Sequence, residues 1–313
     1  MEHIPSRDLV LKRIEGHRMY IDRSDPGISR TLRRFKWLRK WYREPEFMDI
    51  VNKEVSTGMV AFDLGANIGY VTLLMARNVG NAGRVYAVEP SPRNFEILKK
   101  NIEINDYANR VDIYQMAISS CNGEAQFNLS GASNLHSFVR SVHSENEINV
   151  RTVTLDEFFK DKSGPNFIKM DIEGAEVDAL EGMLEILKRR QGVMKILIEV
   201  HQMYYSETRD FGKQLERLFG AGFVPKYVVS TGSKYPRFFK DRGYNPVKIY
   251  KSGEWTRGLY VNVKQEDVIE AMGPGHAEEF PLPLRSLLKR PGRLWNRAVS
   301  TPRIVRAIML ERI

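Results

Sequence analysis

The stretch Asp63-Leu64-Gly65-Ala66-Asn67-Ile68-Gly69 follows a short apolar run, Met59–Leu64, and precedes a helical pattern that reaches about Asn78. A glycine-rich turn between strand and helix lets backbone approach a ligand closely, and the helix N-terminus offers free N–H groups. Many nucleotide enzymes share such a turn, so its neighbours decide its meaning. A second strand, Arg84–Glu89, ends on a carboxylate 24 residues after Gly65. At that point of a doubly wound sheet, a carboxylate can accept both hydroxyl protons of a ribose. Asp63 discriminates further. A dinucleotide would set its pyrophosphate near the tip of the first strand, where a carboxylate repels it. A cofactor with a sulfonium and an ammonium, as in S-adenosylmethionine, is attracted instead. Asp171 and Glu173, ending a later strand, add negative charge on the same carboxyl edge.

Outward from this turn, short apolar runs alternate with helical patterns, which predicts a mostly parallel α/β sheet. Ser91 and Pro92 have the chemistry of a helix N-cap and first helical position. Val111–Ile118 reads as the third strand, Asn166–Asp171 as the fourth and Lys195–Val200 as the fifth. One helix is expected from about Gly174 to Arg190. Phe223–Val229 and Gly258–Val263 read as later strands. Cys121–Thr154 breaks the rhythm with two strand-like runs around a polar loop, the pattern of an inserted hairpin or flap. Thr154 and Glu157 have capping-box spacing for a short helix.

The net charge of +9 is not spread evenly. Residues 1–54 hold 13 basic and 9 acidic side chains, residues 274–313 hold 8 and 3, and residues 55–273 are neutral. Three parts follow: a basic, mainly helical N-terminal arm (1–54), a catalytic domain (55–273) and a basic amphipathic C-terminal segment (274–313). In the last, prolines separate pieces in which Leu284, Leu287, Leu288, Trp295, Val299, Ile304, Val305, Ile308 and Met309 alternate with arginines. Such arms are expected to pack on the domain, with an anionic membrane surface or nucleic acid as further partners. No run of about 18 apolar residues exists to span a membrane. No secretory signal pattern stands at the start, and the single Cys121 suits a reducing compartment. The expected location is cytoplasmic, with peripheral attachment to a membrane as the alternative.

The segments FDLGANIGYVT (62–72), VYAVEPSPRNFEILKKNIEIN (85–105), TLDEF (154–158), IKMDIEGAEVDALEGM (168–183) and IEVH (198–201) together resemble the FkbM family of methyltransferases. The resemblance implies a doubly wound, seven-stranded, Rossmann-like class I methyltransferase fold with S-adenosylmethionine as cofactor. It also implies methyl transfer, typically to a hydroxyl oxygen of a sugar, glycan or other small natural product. Carried over, Asp63, Gly65, Asn67 and Gly69 belong to the turn beside the methionine part. Glu89 holds the ribose, and Ser91 and Ala117 border the adenine.

In-line methyl transfer needs a positioned acceptor and a route for its proton. Asp171, Glu173 and His201 are the catalytic candidates, with Asp171 favoured as base, and flap residue His136 is a further candidate. Ser133, Asn134 and His136 are placed in the acceptor pocket because the insertion is polar there. His143 has an exposed loop as its default reading. Asp171, Glu173, Glu199 and His201 are also hard or borderline ligands, but no compact spacing favours a metal. An RNA methyltransferase gripping phosphates through the arms, and a non-catalytic membrane- or complex-associated scaffold, are the competing readings. An Asp171-Ile172-Glu173-Gly174 tip argues against base amino-methylation, and Cys121 lacks the context of a cytosine nucleophile.

Overall fold

The structure, a computed structural model, describes residues 8–33, 44–140, 144–189, 193–231, 237–252, 255–272 and 305–312. His143, Ile304 and the earlier C-terminal positions Leu284, Leu287, Leu288, Trp295 and Val299 lie outside the described residues. In chain order, an antiparallel hairpin of β1 (Leu9–Ile14) and β2 (His17–Asp22) leads through α1 (Ile28–Arg33) and α2 (Pro45–Glu54) into the sheet. Next come β3 (Val60–Leu64), α3 (Tyr70–Val79), β4 (Arg84–Val88), α4 (Pro92–Ile104) and β5 (Val111–Tyr114). The flap is β6 (Ala117–Ile118), β7 (Gly123–Ser130) and β8 (Ser144–Val153), which form their own three-stranded sheet. Then follow α5 (Leu155–Phe158), β9 (Phe167–Met170), α6 (Glu176–Glu181), α7 (Leu184–Arg189) and β10 (Met194–Glu199). The chain continues through α8 (Phe211–Gly220), β11 (Phe223–Ser230), α9 (Arg237–Asp241), β12 (Lys248–Ser252), β13 (Trp255–Tyr260), α10 (Gln265–Met272) and β14 (Val305–Arg312).

The central sheet has the order β12-β13-β11-β14-β10-β9-β3-β4-β5. Strands β5, β4, β3, β9 and β10 are parallel, and β14 runs antiparallel to both its neighbours. From β3 the order departs both ways, to β4 and to β9. This is the switch point at whose carboxyl edge doubly wound sheets bind ligands. The sheet separates two apolar layers, because successive side chains point to opposite faces. Phe62, Ile196, Ile198, Ile308 and Leu310 pack on one side, while Ala61, Leu197, Ala307 and Met309 pack on the other.

Three expectations are corrected. The described sheet has nine strands, not seven, because β12 and β13 extend it beyond β11. The end of the basic C-terminal segment is no helical arm: Val305–Arg312 lies between β10 and β11, with Val305, Ala307, Ile308, Met309 and Leu310 fully buried. A strand covered on both faces shows no alternation, so its apolar run mimics a helix stripe. The described part of the N-terminal arm is only partly helical: ahead of α1 and α2, the β1–β2 hairpin docks on α4 through Asn101 and Asn105. Two element boundaries also move. The third strand splits after Tyr114, and β6 leaves the main sheet to pair with β8. The helix after β9 breaks at Gly182, where an added Cβ would stand 2.3 Å from the Ser119 carbonyl oxygen. Asp156 then accepts N–H bonds from Glu185 and Ile186 and so restarts the chain as α7.

Candidate active site

The turn after β3 is shaped by close backbone approach. Gly65 has φ 76, and a Cβ there would stand 2.0 Å from the Asp171 carbonyl oxygen, so any side chain would part β3 from β9. Asn67 is also left-handed, at φ 50, a region asparagine enters more readily than most residues. That conformation aims the Asn67 N–H at Glu89 Oε2, 2.8 Å away. Ser91 N–H and Asn94 Nδ2 donate to Glu89 Oε1 at 2.9 and 3.4 Å. The Ser91 hydroxyl caps α4, as its position before Pro92 predicts. Glu89 is only 4% exposed, and burial pushes its carboxyl up to about 7 despite these three donors.

Glu89, Gly65, Asn67 and Ala117 line a cavity of about 450 Å³. Ser133, Asn134 and His136 of the flap line it too, as do Asp171, Glu173 and His201. Asp63, Gly69 and Ser91 are not on its wall. Gly69 caps α3 at φ 93 against Leu98. Asp63 is fully buried, accepts from Thr72 Oγ1 at 2.6 Å, and pairs with Lys169 Nζ at 3.0 Å, its register partner on β9. Its charge is therefore matched inside the fold and does not face the cavity. Lys169 also donates to the Gly65 carbonyl at 2.9 Å. Burial opposes its charge, but Asp63 and Asp171 outweigh that and hold the ammonium above its usual range. Sequence reasoning missed Lys169, whose signal was a cation inside the buried run Phe167–Met170.

The flap is tied down at Ser133. Its carbonyl accepts from Asn67 Nδ2 and Asn94 Nδ2, while its N–H and hydroxyl donate to Asp25. His136 Nδ1 accepts from Ser130 N–H, and burial pushes the imidazole down to about 4, so it is neutral near pH 7. The predicted acceptor residues thus stand over the Asn67–Glu89 side of the cavity.

His201, just past β10, is 1% exposed and draws four carboxylates together. Its Nδ1 lies 2.8 Å from Glu176 Oε1, and its Nε2 lies 3.3 Å from Glu173 and 3.9 Å from Asp171 and Glu199. Burial would raise Glu176, but His201 outweighs it and holds the carboxyl below its usual range. Asp171 goes the other way: burial, then the Glu199 and Glu173 charges, push it well above the usual range, and Lys169 and His201 offset this only partly. Asp171, Glu173 and His201 offer ligand atoms all within 4.8 Å of one another, a set whose chemistry suits a divalent cation. Beyond them, Arg306 of β14 contacts Glu199, Glu44 and Glu46 at 3.0, 2.8 and 3.1 Å. Those carboxylates outweigh its burial and hold it above its usual range. Arg306 had no signal in the sequence, because it was read as part of an arm.

A family model described as the methyltransferase FkbM domain matches residues 63–225, just over half the chain. The chain is 28% identical over 163 residues to the hexuronic acid methyltransferase AglP of Haloferax volcanii, covering 50% of this chain and 62% of that protein. It is 28% identical over 155 residues to methyltransferase sdnD of Sordaria araneosa, covering 39% and 60%. The chain spans about three fifths of the length of these curated relatives. Among solved structures, a methyltransferase FkbM from Methylobacillus flagellatus aligns with a TM-score of 0.40 and 18% identity, over 66% of this chain and 44% of that one.

Proposed function

This chain belongs to the FkbM methyltransferase family, and from that premise we propose that it transfers the methyl group of S-adenosylmethionine to a hydroxyl oxygen of a sugar or other small acceptor. One observation supports this most: a buried carboxylate, Glu89, fixed by the N–H groups of Asn67 and Ser91, shares a cavity with the Asp171–His201 cluster. The donor set fits the cofactor. Glu89 Oε2, with the Asn67 N–H as its one donor among the described residues, retains acceptor capacity for a ribose hydroxyl. With Asp63 matched by Lys169, the carboxylates lining the cavity besides Glu89 are Glu44, Asp171, Glu173 and Glu199, a set that suits a cationic group. When bound, the cofactor supplies a methyl carbon made electrophilic by its sulfonium.

The protein's own part is to place the acceptor oxygen in line with that carbon and to receive its proton. As the C–O bond forms, the methyl–sulfur bond breaks and its electron pair stays on sulfur, while the hydroxyl proton passes to a base. Asp171 is that base. Its surroundings disfavour the second negative charge and so raise its proton affinity, and His201 offsets them in part. The sugar class of acceptor is supported by the relative named as a hexuronic acid methyltransferase. Among the described residues of the C-terminal segment, Arg306 is held by three carboxylates and Arg312 by the Leu187 carbonyl, so neither is offered to a nucleic acid or a membrane. Among the described residues, no helix is long and apolar enough to cross a membrane.

Calorimetric titration with S-adenosylmethionine and S-adenosylhomocysteine tests the reading. Binding of both, with methyl transfer to a sugar hydroxyl on adding acceptor, is expected. A wild-type protein that binds neither refutes it.

A further inference from the structure

Past the acidic cluster, the cavity wall continues onto the ends of β11, β13 and β14. Antiparallel pairing sets Val228 opposite Tyr260 and Val229 opposite Leu259. Thr231, which follows β11, and Arg257 of β13 both line the cavity. A bond from Gly258 N–H to Ser230 Oγ, at 3.0 Å, holds the two strands together there.

Both side chains have capacity that the fold does not use. Thr231 Oγ1 is buried and has no hydrogen-bond partner among the described residues. Arg257 is 15% exposed and, among the described residues, has one ion pair, from Nη1 to Glu46 Oε1. That same oxygen also receives Arg306 Nε at 3.1 Å. The carboxylates hold Arg306 above its usual range, whereas at Arg257 burial, and then the adjacent Arg306 charge, outweigh Glu46, Glu44 and Glu199 and hold it below the ordinary guanidinium range. A guanidinium is a planar fork of five donors, and a carboxylate accepts two of them in parallel. A neutral hydroxyl would satisfy Thr231 and leave the Arg257 charge under-compensated. The position is also apt, because Arg306 Nη1 reaches Glu199 at 3.0 Å and Glu199 lies 3.9 Å from His201.

We propose that the acceptor is a sugar acid whose carboxylate is bound by Arg257 and Thr231 while a neighbouring hydroxyl is presented to Asp171. This rests on the methyl-transfer reading and names its substrate class. Both residues escape a local reading of the sequence, since one follows β11 and the other lies on β13.

The test uses the full chain saturated with S-adenosylhomocysteine and titrates methyl glucuronoside against methyl glucoside, which differ in the carboxylate alone. The uronate is expected to bind at least about tenfold more tightly. Arg257→Gln is expected to abolish that preference, and the near-isosteric Thr231→Val to reduce it several-fold. Both variants are expected to keep wild-type affinity for S-adenosylhomocysteine, which also reports that the pocket is folded. Equal affinity for the two sugars, binding of neither, or a preference that survives Arg257→Gln overturns the proposal. So does a loss confined to S-adenosylhomocysteine in Arg257→Gln, which would assign the guanidinium to the cofactor. A wild type that fails to bind S-adenosylhomocysteine removes the methyl-transfer reading itself, a result distinct from all of these.

Discussion

On one side of the cavity, Gly65, Asn67 and Glu89 come from the turns after the adjacent parallel strands β3 and β4, and Ala117 comes from β6 of the flap. On the other, Asp171, His201, Arg257 and Arg306 come from strand ends scattered over the rest of the chain. The first side is mostly backbone, with one carboxylate held by N–H donors of its own turns. The second is mostly charge, with carboxylates, an imidazole and guanidiniums balancing one another across strands. A wall of backbone suits a cofactor that stays the same across a family. A wall of long side chains can be exchanged without changing the turns, which suits an acceptor that varies. If this division is right, substitutions on the two sides separate into turnover effects and cofactor-affinity effects.

The largest separation is expected at Asp171. Asp171→Asn keeps the shape but removes the base, and turnover should fall by about 10²- to 10⁴-fold. Affinity for S-adenosylhomocysteine should stay within a few-fold, as steady-state rates and calorimetry on the same preparation would show. A variant that retains more than about a tenth of the wild-type rate would move the base to His201 or Glu173.

The acceptor side also depends on β14, so its integrity is a matter of stability. Ile308 is fully buried in the main apolar layer. Ile308→Ala should cost about 2–5 kcal/mol in urea unfolding. A residue on a loosely packed arm would stay within about 0.5 kcal/mol, and that result would remove β14 from the sheet. Next in size is Glu89→Ala on the cofactor side. It should weaken S-adenosylhomocysteine about 10- to 100-fold through loss of charge-assisted bonds, with turnover at saturating cofactor much less affected.

The same division explains what could be read from the sequence. Residues 63–69, Glu89 and the Ser91 cap were legible because each depends on a turn within a few residues of itself. Asp63 was placed at the right strand tip but given an open face. Its charge is matched by Lys169, which lies 106 positions later and meets it only through the β3–β9 register. Asp171, Glu173 and His201 were legible as residues, whereas Glu176, which holds His201 Nδ1, passed for an ordinary first-turn acid. Arg306 was illegible because β14, buried on both faces, has neither strand alternation nor a nearby turn to mark it. Pairing over long sequence separations leaves its trace in three dimensions only.

The smallest effect separates the two sides by pH. Glu89 titrates near 7 in the folded protein against about 4.5 for an unburied carboxyl. Because the folded value is the raised one, the native state binds the proton more tightly between these pH values. Its contribution to stability is therefore full below about 4.5 and is lost as pH rises to 7. Ribose recognition needs the ionised form, so cofactor affinity should move in the opposite direction. From pH 8 to pH 6 the affinity for S-adenosylhomocysteine should drop about tenfold. Asp171 also titrates above its usual range, so the wild-type curve alone mixes the two sides. Subtracting the curve of Glu89→Ala isolates the ribose carboxylate. The tenfold step should vanish in that variant and persist in Asp171→Asn. A step that follows Asp171 instead would mean that the acidic cluster, and not Glu89, senses the cofactor, and the division between the two sides would fail.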